Sequence, residues 1–160
     1  MTQMSADITF DAEPTPEQEA LGREALAILG ASGRIRVLPL QRGLEDLPWL
    51  LLLTLPLQAF LTSMGSKLGE DAYRGFQNIV GKLLHPGRDA QLTVQRPLVL
   101  QDADNGLRIV LDRDLPADGY EQLLRLDLAR FRSGPVHYDR ARRCWRSEID
   151  EAKADKNQNG

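Results

Sequence analysis

Cys144 stands among Arg142, Arg143 and Arg146, and cationic neighbours can draw a thiol toward its nucleophilic thiolate. The alternative is a small side chain in a strand whose arginines face solvent, and the pattern around Trp145 favours it. The two histidines are His85 and His137. His85 precedes Pro86-Gly87 at an expected helix end, where an imidazolium would complement the helix dipole. His137 lies beside Tyr138 and Asp139 in an expected strand. Neither has a nearby partner in sequence that would complete an acid–base or nucleophilic set, so no catalytic residue is assigned. A single cysteine cannot close a disulfide within the chain, and no Cys/His spacing suits a metal. Phosphate-cradling glycine strings, a G-x-S-x-G elbow and an H-E-x-x-H helix are absent from the sequence. No cofactor or metal is therefore expected.

Two polar strings suggest cations only faintly. Asp102-Ala103-Asp104-Asn105-Gly106 brings its glycine one position too early for a calcium loop, and Asn105-Gly106 is a strong type I′ hairpin signal. Asp155, Asn157, Asn159 and Gly160 match the first half of such a loop without its closing glutamate. The stretch from Arg125 to Arg146 holds seven arginines against Asp127 and Asp139, with Phe131, Tyr138 and Trp145 interleaved. Arg140, Arg142, Arg143 and Arg146 form its candidate anion patch. Such a patch could track phosphates and stack bases. A solvated face paired with acidic groups is the favoured alternative, because residues 1–46 carry eight acidic and four basic side chains. Nucleic acid is accordingly not the expected partner.

These groups need elements to hold them. Ile8 and Phe10 mark a short strand, Thr15-Pro16-x-Gln18 opens a helix, and Ile35 and Val37 mark a second strand. This is an N-terminal β-α-β unit. A long central helix is expected over about 47–84, with Asp46 as cap and apolar or small residues at 50, 53, 57, 61, 64, 68, 72, 76, 79 and 83. Pro56 should kink it. Then come a β-hairpin through Asn105-Gly106 and a helix opened by Asp114-Leu115-Pro116. A short C-terminal β-hairpin follows across Arg140–Arg143. The fold class is α+β, with residues 1–147 as one domain and 148–160 as a polar, disordered tail. The order of parts is similar to that of small bacterial proteins.

The feature that most needs an explanation is apolar. No charge occurs between Asp46 and Lys67, a gap of 20 residues, about what a bilayer requires. Yet the dense part, Leu47 to Leu61, includes Pro48, Pro56 and Gln58, and its flanks lack a positive-inside bias. The run can be a central helix covered by sheets, an association surface, or a membrane anchor. Met1 to Asp11 lacks the basic and apolar regions of a signal peptide, and with one cysteine in the chain a cytoplasmic setting is expected. A net charge of −3 excludes a globally basic nucleic-acid binder.

The sequence therefore points to a non-enzymatic interaction or oligomerisation domain acting through its central helix. Trp49, Leu50, Leu53, Leu57, Phe60 and Leu61 are its candidate partner-binding residues. The partner would be a second copy or another protein. The alternative is a membrane-associated accessory protein using residues 47–66 as a span or interfacial anchor.

Overall fold

The computed structural model describes residues 5–10, 13–28, 32–37, 51–65, 70–84, 98–112, 115–132 and 134–159. The chain begins with strand β1 (Asp7–Phe10), helix α1 (Pro16–Ile28) and strand β2 (Ile35–Val37). The start of α1 is fixed by a reciprocal cap: the Gln18 N–H donates to Thr15 Oγ1 and the Thr15 N–H donates to Gln18 Oε1. β2 pairs parallel to β1, so the expected β-α-β unit is present. Gly33 sits where a Cβ would fall 1.6 Å from the Ala6 carbonyl oxygen. Only a glycine lets these two backbones approach so closely.

The apolar run folds differently from the expected helix. Leu51–Leu55 is strand β3, followed after Pro56 by helix α2 (Leu57–Gly65), and helix α3 spans Glu70–Leu84. Proline pushes the residue before it toward extended backbone and is well tolerated where a helix begins. Leu55 thus ends a strand, and the Pro56 carbonyl accepts the Phe60 N–H of the first turn at 3.0 Å. Pro56 starts a helix rather than kinking one. A strand buried on both faces reads as a continuous apolar run, which periodicity alone cannot tell from a buried helix.

Strands β4 (Leu98–Asp102) and β5 (Arg108–Leu111) complete a five-stranded mixed sheet in the order β2-β1-β3-β4-β5. β3 is antiparallel to β1 and parallel to β4. Alternation along the strands sends Ile8, Phe10, Leu53, Leu55, Leu100, Ile109 and Leu111 into the main core with residues of α1, α2 and α3. There Phe60 and Phe76 meet edge to face at 5.3 Å. Leu52 and Val99 form a separate small cluster with Val110, one residue out of phase and so on the other face.

Helix α4 (Ala117–Leu124), a 3₁₀ turn (Leu128–Arg130), the hairpin of β6 (His137–Asp139) and β7 (Cys144–Arg146), and helix α5 (Glu148–Gln158) form the C-terminal part. Val136 ties it to the sheet, exchanging backbone bonds with Arg108 and Val110 at 2.9 Å each. The stretch expected as a disordered tail is instead helical. Ser147 Oγ accepts the Asp150 N–H, and Glu148, Asp150 and Glu151 place negative charge in the first turn. Among the described residues no helix is long and apolar enough to cross a membrane. Within the alternative span over 47–66, the described residues 51–65 are divided at Pro56 into a sheet strand and a short helix.

Candidate functional site

Of the residues expected to bind a partner, the four that are described belong to this chain's own core. Leu53, Leu57, Phe60 and Leu61 are 2%, 0%, 1% and 1% exposed. β3 lies between two other strands, and the buried stripe of α2 faces the sheet side, so these side chains have no surface left to offer. Trp49 and Leu50 lie outside the described residues, as does His85.

The charged candidates converge on the second hairpin, which is bolted to α4. The Trp145 Nε1–H donates to the Gly119 carbonyl at 2.9 Å, and the Tyr138 hydroxyl donates to Asp118 Oδ2 at 2.7 Å. The Gln122 amide donates to the Arg143 carbonyl at 3.0 Å. Tyr138 and Trp145 stack tilted against each other at 5.6 Å, both almost fully buried. The hydrogen bond to Asp118 is the main cause that raises the Tyr138 phenol above its ordinary pKa. Nearby, burial and then Tyr73 push Tyr120 up to about 12.

Asp139 does two jobs at the mouth of the turn. Its Oδ1 accepts the N–H groups of Ala141 and Arg142, and its Oδ2 accepts Arg146 Nη1 at 2.8 Å. Arg146 also forks onto Glu151: Nε donates to Oε1 at 3.1 Å and Nη2 pairs with Oε2. Its side chain is 16% exposed. The Arg146 guanidinium holds the carboxyls of both Asp139 and Glu151 below their usual range, and they in turn raise its own pKa. Arg146, one of the four residues of the expected anion patch, is therefore a structural clamp between the hairpin and α5. Two carboxylates already satisfy it.

The other three arginines, Arg140, Arg142 and Arg143, are exposed on the turn. Among the described residues no ion pair holds Arg142 or Arg143. Arg143 has φ +53°, in the left-handed region. A side-chain-bearing residue there costs about 1–2 kcal/mol. Arg140 and Arg143 line a hollow of about 490 Å³ with Pro116, Asp118 and Tyr138. A second hollow of about 460 Å³ lies between α2 and the end of α4, touching Gln58, Thr62, Glu121 and Arg125.

The remaining candidates are not gathered into a site. His137 is half-buried with Nε2 3.8 Å from Glu148, and Cys144 is half-buried opposite Asp139 in the hairpin. Asp155 and Asn157 lie within α5, whose helical backbone cannot wrap a cation loop. Among the described residues no group of three or more His, Cys, Asp or Glu could hold a metal ion. The arginine turn was legible in the sequence. The clamp was not, because Asp139, Arg146 and Glu151 look there like ordinary surface charges. The chain matches no protein-family model, no curated protein and no solved structure with which it was compared.

Proposed function

We propose that the chain is a non-enzymatic interaction domain that presents the turn Arg140–Arg143 to an acidic segment of a partner protein. The observation that carries this reading is the contrast between a fixed hairpin and the exposed side chains of Arg142 and Arg143 at its tip, which form no ion pair among the described residues. A fixed backbone limits the entropy lost on meeting a carboxylate, and Arg suits bidentate pairing. Base stacking, the other use of an aromatic-basic patch, is poorly served, since Tyr138 and Trp145 are each 6% exposed.

Fluorescence anisotropy of a labelled oligoglutamate peptide tests the proposal. The expected result is saturable binding at low salt that weakens as salt rises and falls about tenfold or more in the triple variant R140S/R142S/R143S. Equal binding by that variant, or tighter binding of a single-stranded oligonucleotide, would overturn it.

A further inference from the structure

The two hairpins solve the same turn with different residues. In each, an aspartate is followed by four linking residues, the last of them with positive φ: Gly106 at +74° after Asp102, and Arg143 at +53° after Asp139. In each, the aspartate Oδ1 accepts an N–H two residues on, from Asp104 at 3.4 Å and from Ala141 at 2.9 Å. Glycine is the residue that meets this backbone without steric cost, and the first hairpin uses it. The second hairpin carries an arginine at the equivalent position.

Resting on the acidic-partner reading, we infer that Arg143 is the specificity-determining contact of the turn. Its guanidinium grips a side-chain carboxylate of the partner at the hollow between Pro116, Asp118 and Tyr138. Three observations converge on it. Arg143 lines that hollow together with Arg140, whereas Arg142 does not. Its backbone is held from behind by Gln122, so the side chain leaves from a fixed base. Arg146, by contrast, is satisfied by Asp139 and Glu151 and has no fork to spare. Asp118 shapes the class of ligand further. One of its oxygens is taken by the Tyr138 hydroxyl, and a carboxylate keeps other lone pairs that accept N–H donors. A peptide offers backbone N–H groups beside its carboxylates; a phosphodiester chain offers none. The ligand class is thus an Asp- or Glu-bearing peptide segment.

The experiment compares the whole chain with R143G, R143K and R142A, reading oligoglutamate affinity and the melting temperature of each. R143G should lose about tenfold or more in affinity while its melting temperature rises by about 2–8 °C, because the strained backbone is relieved. R143K keeps charge but not the planar fork and should also bind more weakly than wild type. R142A should lose less than R143G. If R142A and R143G lose equally, or R143K binds as wild type does, only net charge is being read; the inference then fails while the acidic-partner reading stands. If wild type itself does not bind at low salt, both fail.

Discussion

The hairpin of β4 and β5 and the hairpin of β6 and β7 share a turn geometry but are held in place by different forces. The first lies within the five-stranded sheet, where Leu98, Val99, Leu100, Ile109 and Leu111 are each at most 2% exposed. Its turn is closed by Gly106, by Asp102 and by the Asn105 side chain, which accepts the Leu107 N–H at 2.9 Å. The second has two short strands of three residues, from which only Tyr138 and Trp145 reach the main core. It is held by Trp145 on Gly119, Tyr138 on Asp118 and the Asp139–Arg146–Glu151 clamp. Burial is non-directional and tolerates loose aim, whereas directed hydrogen bonds fix orientation. The region that relies on directed bonds holds its exposed arginines at a set position.

That comparison breaks most visibly at the anchor of the second hairpin. W145A removes a buried indole and leaves the Gly119 carbonyl without its donor. It should cost about 3–5 kcal/mol in urea unfolding. Hydrogen exchange should show protection lost over 136–146 and retained over 98–111. Equal loss in both regions would mean that the hairpins form one cooperative unit.

The turns themselves supply the next effect. A Cβ at Gly106 would meet nothing within 4 Å, so a side chain there costs backbone conformation and not space. G106R should therefore destabilise by about 1–2 kcal/mol, the mirror image of the gain expected in R143G. No change in the urea midpoint would show that the left-handed turn imposes no penalty on arginine.

Acid should act through the second hairpin's clamp, with the smallest effect of the three. The folded-state pKa values of Asp139 and Glu151 lie below their unfolded values, chiefly through hydrogen bonds from Arg146. Their contribution is complete above the ordinary carboxylate range, about 4, and is lost as pH falls through the depressed folded values. The urea midpoint of wild type should drop between pH 6 and pH 2.5 by more than that of D139N. Parallel curves would show that the clamp adds nothing to stability.

The sequence disclosed what local chemistry dictates. Thr15-Pro16-x-Gln18 announced the cap of α1, and Asn105-Gly106 announced the first hairpin. That turn is not of type I′: only Gly106 has positive φ there, and the chain closes through four residues instead of two. Leu51–Leu55 reads as helix because four leucines in five residues satisfy a helical stripe and a doubly buried strand equally well. Pro56 decided between them, marking a junction and not a kink. The helix after Ser147 had a readable signal in its cap and three acidic first-turn residues, overshadowed by its polarity. The clamp and the Trp145 anchor join residues whose proximity only the fold creates. The turn Arg140–Arg143 was legible as a basic patch, but the left-handed backbone of Arg143 was not.

The most direct test of the account follows backbone amide shifts of the ¹⁵N-labelled chain during titration with oligoglutamate at low salt. The expected shifts concentrate on Tyr138–Cys144 and Asp118, leaving Leu52–Leu61 unmoved. Shifts centred on β3 and α2, or spread evenly over the surface, would contradict the claim that the arginine turn and not the apolar run is the contact surface.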